Sequence, residues 1–130
     1  DTIVSDHRPE DIEHKKVEFG QAAFGMSGIE TAFAVANTAL KGHMSLRRII
    51  ERFTHGPRKA LGLPVQHIAE GSAAELTLFD PEESWTYEKA AAVSRADNSP
   101  FFGQQLTGRP LGIVRGGRHQ WSPALQETSV

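Results

Sequence analysis

No cysteine occurs anywhere in this chain of 130 residues, so neither a disulfide nor a thiolate-ligated metal can form. That suits a reducing compartment, and a cytoplasmic protein is the expectation. An excess of charge of one sign is also missing: 14 Lys and Arg stand against 16 Asp and Glu, a formal net charge of −2. The longest basic run is Arg47-Arg48, which gives nucleic acid no footprint. Long hydrophobic runs are absent as well. The most apolar stretch, residues 29–40, is broken by Glu30, Thr31, Asn37 and Thr38, too short and too polar to cross a bilayer. There is no internal repeat, no low-complexity tract and no signal-peptide pattern, and the first residue is Asp1 rather than Met. The chain is expected to begin inside a longer one. What remains, 38% hydrophobic and 23% charged residues, is the composition of a folded domain with a modest core.

The most informative segment is the first. Thr2-Ile3-Val4-Ser5 reads as a short β-branched strand that runs into the loop Asp6-His7-Arg8-Pro9-Glu10. A carboxylate at the C-terminal end of a strand stands where a (β/α)₈ barrel keeps its catalytic groups. A whole barrel takes roughly 250 residues, so Asp6 must draw its surroundings from outside this chain. One strand alone would also leave two unpaired edges.

Two periods follow. Over residues 27–63 the pattern is helical. Ser27-Gly28-Ile29-Glu30 fits a capping box, opening a helix that buries Ile29, Phe33, Ala36 and Leu40 and stops at Gly42. Ser45 caps a second helix carrying Leu46, Ile49, Ile50 and Phe53. Pro57 opens a third, over residues 58–61, ended by Gly62 and Pro64. Beyond Pro64 the period becomes two. Residues 74–79 alternate and end in the turn signal Asp80-Pro81. Residues 84–87 read as another strand and residues 88–93 as a helical turn. Leu111 to Val114 and His119 to Trp121 flank Arg115-Gly116-Gly117-Arg118, a hairpin signal. The boundary is expected near residue 63, and residues 122–130 as a loose tail.

Three motifs in order carry a resemblance: Ser5-Asp6-His7, then Phe24-Gly25 with Gly28-Ile29-Glu30-Thr31, then Gly62-Leu63-Pro64. Glu70-Gly71-Ser72-Ala73-Ala74-Glu75-Leu76-Thr77-Leu78-Phe79-Asp80-Pro81, Asn98-Ser99-Pro100-Phe101-Phe102-Gly103 and Leu106 with Gly108 continue it. Over residues 1–121 the chain resembles the C-terminal third of a class I bacterial dihydroorotase, a member of the amidohydrolase superfamily. The fold this implies is α/β plus β. Residues 1–63 would be the last βα segment of the barrel, and residues 64–121 part of the small composite β-sandwich.

The resemblance implies the interconversion of N-carbamoyl-L-aspartate and L-dihydroorotate in pyrimidine biosynthesis, with zinc at the barrel mouth. It makes Asp6 the catalytic carboxylate, in contact with the metal and moving the proton. It sets the backbone of Ala23, Phe24 and Gly25 against the substrate's ring amide. Hydantoinases and allantoinases share the Ser-Asp-His strand end, but the motifs over residues 24–31 and 98–103 point away from them.

The chain departs from the family at Glu10, where the usual His grips the substrate carboxylate. A second carboxylate beside Asp6 would repel an anionic substrate. A Gln or Glu at this position, followed by Asp and a charged stretch like 11–16, resembles dihydroorotase-like relatives that have lost catalytic residues. Some of those are structural partners of aspartate transcarbamoylase. The six histidines, His7, His14, His43, His55, His67 and His119, contain no His-x-His pair. Zinc ligands other than Asp6 would therefore come from outside this chain, and the chain alone is expected to bind no metal and to turn over no substrate. His14 and His43 read as solvated, His55 and His67 as loop residues, and His7 as a prop for the strand end. Trp85 and Trp121 read as cover for the sheet, and Arg47, Arg48, Glu51 and Arg52 as a solvated helix face. Three functions stand: a dihydroorotase part, a silent scaffold for a transcarbamoylase or a homo-oligomer, and a β-rich binding module over residues 64–121.

Overall fold

The structure is a computed structural model that describes residues 1–123 and 125. Four short helices precede a three-stranded antiparallel sheet. The helices are α1 (Ile12–Lys15), α2 (Ala32–Leu40), α3 (Leu46–Phe53) and α4 (His55–Ala60). The strands are β1 (Glu75–Thr86), β2 (Gln105–Arg115) and β3 (Arg118–Trp121), in spatial order β1-β2-β3. A 3₁₀ turn at Lys89–Ala91 occupies the stretch expected to be a helical turn.

The β2–β3 hairpin forms where expected. Gly116 and Gly117 both take positive φ, 56° and 73°, as a two-residue loop joining twisted strands requires. Arg115 pairs with Arg118 across it and Gly112 with Trp121 at the far end. β1 and β2 are longer than their sequence patterns. Asp80-Pro81 does not end the strand. Asp80 Oδ1 accepts the amides of Glu82 (2.8 Å) and Glu83 (3.2 Å), a side-chain turn that makes a bulge, and pairing resumes at Ser84↔Thr107.

Helix α2 lies on this sheet. Buried Asn37 donates its amide to the carbonyls of Pro81 and Thr107, both at 3.0 Å. Thr38 Oγ1 accepts the Thr107 amide at 2.7 Å and donates to Ala34 at 2.7 Å. The helix thereby serves donors and acceptors that the bulge releases from the ladder. Gly108, at φ 101°, sits so close to Asn37 and Phe33 that a Cβ there would clash. Below this contact Ala34, Tyr87 and Leu106 form the core, with Trp85, Phe101 and Phe102 packed around them. One core thus joins residues from both sides of position 63. Phe33 bridges outward to Phe79, ring centroids 4.5 Å apart, and to Phe53 at 6.3 Å.

Several expectations are corrected. Residues 2–5 form no strand: Ile3 donates to Arg52 O at 3.0 Å, and the first bridge is His7 with Met26. Among the described residues no neighbouring strand flanks them, and a ladder needs one. Ser27 and Glu30 form no capping box, because both side chains have distant partners, and α2 begins at Ala32 with Thr31 as its flanking residue. Ile29, expected in the core, is 62% exposed, and the fully buried face of α2 is Ala34 and Asn37. Helix α4 starts at His55, placing Pro57 within its first turn rather than at its first position. Among the described residues the strands form one three-stranded sheet. Of the expected tail, Ser122 donates to Leu111 O at 2.9 Å and so continues the sheet edge; residues 124 and 126–130 lie outside the described residues.

Candidate functional site

Asp6 is the one non-glycine residue with positive φ, 43°, among the described residues. A left-handed backbone is disfavoured for an L residue by about 1–2 kcal/mol, least so for Asp or Asn. It persists because the chain on either side is fixed. Arg8 donates to Met26 O at 2.9 Å, and His7 Nδ1 accepts the amides of Gly28 (3.2 Å) and Ile29 (3.4 Å). With Nδ1 as acceptor, the neutral ring carries its proton on Nε2. His7 thus props the loop against residues 28–29, although no strand ends there. Gly28 has to be glycine here, since a Cβ would stand 2.7 Å from Ser5 O. The Asp6 carboxylate itself is exposed and engages no hydrogen bond or ion pair among the described residues.

Glu10 is held on both oxygens. Arg8 Nε lies 3.3 Å from Oε1 and His14 Nδ1 3.5 Å from Oε2, and the Glu10 side chain is only 17% exposed. Its charge is offset by Arg8, and further whenever His14 is protonated, which weakens the repulsion expected from a bare carboxylate. His14 has a partner and is not simply solvated. Beside Glu10 opens a cavity of about 300 Å³ lined also by Asp11, Glu13, Arg95 and Asp97.

The 23–25 loop lies over α1. Lys15 Nζ donates to Ala23 O at 2.7 Å and to Gly25 O at 2.8 Å, and the Ala23 amide donates to His14 O. The Phe24 side chain stands 83% exposed above the loop. The amides of Phe24 and Gly25 have no partner among the described residues, so they can meet a ligand's carbonyl. Gly25, at φ 121°, packs against Arg8, where a Cβ would be 2.7 Å from the Arg8 side chain.

One residue of the second half completes the cluster. Asn98 Nδ2 donates to Arg8 O (3.0 Å) and Gly25 O (3.3 Å), and its Oδ1 accepts the Ser27 hydroxyl (2.9 Å). Ser27 N also donates to Asn98 O at 3.3 Å. Glu30 reaches the same segment, accepting the amides of Val93 and Ser94, each at 2.8 Å. Burial pushes the Tyr87 phenol up from its ordinary range, and the Glu30 charge adds to the rise. The structure thus joins Glu10 and the 23–25 loop through Arg8, Lys15 and Asn98, with Asp6 two residues before Arg8. Asn98, Lys15 and Glu30 are the contributors that sequence reasoning missed. Lys15 is hidden in a charged stretch, Glu30 in a helix-start pattern, and Asn98 by a separation of 90 residues from Arg8.

No three His, Asp or Glu side chains converge as metal ligands among the described residues. The donor set of the described residues therefore does not make a zinc site, and Asp6 offers one ligand at most. His55 and His67 do approach, ring centroids 6.2 Å apart, without a third ligand side chain beside them, and His119 lies tilted against Trp121 at 5.2 Å. No helix among the described residues is long and apolar enough to cross a membrane.

No protein-family model matches the chain. In sequence it is 40% identical over 119 residues to a dihydroorotase of Anaeromyxobacter sp. (strain K), covering 91% of this chain and 28% of that protein. It is 42% identical over 109 residues to a dihydroorotase of Clostridioides difficile (strain 630), covering 82% and 25%. The chain thus spans little more than a quarter of the curated relatives it matches. In fold it is similar to a D-hydantoinase (dihydropyrimidinase) from Thermus sp., with a TM-score of 0.78 and 27% identity over 93% of this chain and 29% of that one. It is similar also to a dihydropyrimidinase from Brevibacillus agri NCHU1002, with a TM-score of 0.80 and 26% identity over 91% and 27%.

Proposed function

We propose, from the premise that this chain matches the C-terminal part of dihydroorotases, that it contributes the acid–base carboxylate and a substrate-facing loop to a cyclic amidohydrolase. The observation that supports this is Asp6: an untied carboxylate on a left-handed backbone that its surroundings over-determine. In the hydrolytic direction a water adds to the ring carbonyl and Asp6 takes its proton. The C–N bond then breaks and the proton passes to the leaving nitrogen, giving an open carbamoyl acid. Ring closure is the reverse, with loss of water. The free amides of Phe24 and Gly25 face the ring amide. The substrate pair is N-carbamoyl-L-aspartate and L-dihydroorotate. Zinc would need its other ligands from outside this chain; it would supply a water of lowered pKa, and Asp6 would be this chain's residue toward it.

The test is dihydroorotate hydrolysis by the full-length protein, with hydantoin and dihydrouracil as competitors for the substrate assignment. Asp6→Asn keeps the shape and removes the base, so turnover is expected to fall by about 10²–10⁴, while this chain alone turns over nothing. Wild-type activity in Asp6→Asn would sink the reading. A second reading rests on the Arg8–Glu10–His14 cluster, which ties up the loop beside Asp6: a silent scaffold for aspartate transcarbamoylase. An inactive full-length protein that co-purifies with a transcarbamoylase supports it.

A further inference from the structure

We propose that Asn98 is a positioning residue for Asp6, acting through the two loops it clamps together; this rests on the reading of Asp6 as the acid–base group. The left-handed turn at Asp6 depends on the bridge of Arg8 and His7 to Met26 and Gly28. Residues 25–28, which provide that bridge, have no regular structure of their own between Gly25 and Gly28 beyond it. What holds them is Asn98. Its amide nitrogen ties Gly25 O to Arg8 O, one carbonyl from each loop, and its Oδ1 and backbone oxygen hold Ser27. All three polar functions of the side chain and backbone carbonyl are used on these loops and none on the turn that carries Asn98. Lys15 supports the same node from the opposite side, since Gly25 O accepts both Lys15 Nζ and Asn98 Nδ2. Ser27 is buried, so its hydroxyl has no water to fall back on.

A residue that served only its own turn would look different. Gln104 is that case: its amide donates to Pro100 O at 2.9 Å, within the turn that follows Asn98. Losing Gln104 loosens the turn, whereas losing Asn98 separates the two loops. A shift of about 1 Å in a catalytic group costs on the order of a hundredfold in rate. Asn98→Asp is the sharp variant. It keeps the acceptor for Ser27 but sets a carboxylate oxygen against two carbonyl oxygens.

The experiment has two arms. In the 130-residue chain, the left-handed φ of Asp6 gives a strong intraresidue amide–Hα cross-peak in the NMR spectrum. That peak is expected to be lost in Asn98→Asp and Asn98→Ala and retained in Gln104→Ala. In the full-length protein, the Asn98 variants are expected to lose about a hundredfold in kcat with KM changed only a few-fold, and Gln104→Ala to lose neither. Retention of the Asp6 peak in the Asn98 variants overturns the proposal, as does its loss in Gln104→Ala. Should Asn98→Asp unfold the chain, Asn98→Ala decides; unfolding in both makes Asn98 a fold residue and overturns the role. If the wild-type full-length protein has no turnover, the proposed function fails, while the cross-peak still decides the place of Asn98.

Discussion

Along β1, β2 and β3 the backbone is held by its own ladder, whereas between Asp6 and Gly28 side chains that reach carbonyls and amides elsewhere in the sequence share that work with scattered backbone bonds. In the sheet, pair follows pair and each supports the next, apart from the breaks at Leu78/Phe79 and Asp80/Ser84. In the loop cluster the side chains of Lys15, Asn98, His7 and Glu30 each make two or three bonds, and outside the shared Gly25 carbonyl no neighbour duplicates them. Ladder bonds survive most substitutions because the backbone makes them whatever the side chain. A side-chain clamp is lost with its residue. The sheet is therefore the support and the cluster the part whose shape single residues decide, which is the division of labour the proposed site needs.

The largest test of that division is on the support. Leu106 is 4% exposed in β2 and packs with Ala34 and Tyr87. Leu106→Ala is expected to cost about 2–5 kcal/mol in a chemical-denaturation midpoint, out of the 5–15 kcal/mol typical of a domain. Because few side chains are as deeply buried here, the upper half of that range is expected. A cost under 1 kcal/mol would mean that the sheet, like the loops, is not held by this core.

Asp6→Gly gives the opposite contrast. Glycine adopts φ 43° freely, so about 1–2 kcal/mol of local strain disappears. The looser unfolded chain returns roughly 0.5–1 kcal/mol of that. Stability is expected to stay within about 1 kcal/mol of wild type, while turnover of the full-length protein falls as far as in Asp6→Asn. A large loss of stability would show that the Asp6 carboxylate supports the fold and would break the comparison.

The same division explains what the sequence reveals. The hairpin at Gly116-Gly117 is legible because two-residue loops have local rules, and helix α3 because its apolar spacing is local too. Ser27-Gly28-Ile29-Glu30 has the local pattern of a capping box. Yet Ser27 turns to Asn98 and Glu30 to the amides of Val93 and Ser94, partners that no window of sequence contains. Asp80-Pro81 reads as a strand end because Pro lacks an amide. The bulge keeps the strand going by giving the Asp80 carboxylate the two amides that follow. Residues 2–5 have the composition of a strand without neighbours to pair with. At the site, the positions of Asp6, Glu10 and the 23–25 loop follow from motifs, whereas the clamp that arranges them depends on a contact between the two halves.

The smallest effect links the two regions through Tyr87 and Glu30. Tyr87 is in the core below the sheet, 3% exposed, and Glu30 binds the segment that leads to Asn98. Burial first, and the Glu30 charge second, raise the Tyr87 pKa above its unfolded value near 10. As pH rises past about 10 the unfolded chain loses the phenol proton first, so it binds fewer protons than the folded chain and stability falls with pH. The contribution is whole below the unfolded value and is lost as pH rises through the folded one. Tyr87→Phe removes the titrating group, so its stability is expected to decline less between pH 9 and 11 than that of wild type. Glu30→Gln removes only the charge and takes away only the lesser cause of the rise, so its alkaline decline is expected to stay close to wild type. Denaturation midpoints across that range check both. A Tyr87→Phe curve parallel to wild type would mean that the alkaline loss arises elsewhere, and that core and loop are not coupled through this pair.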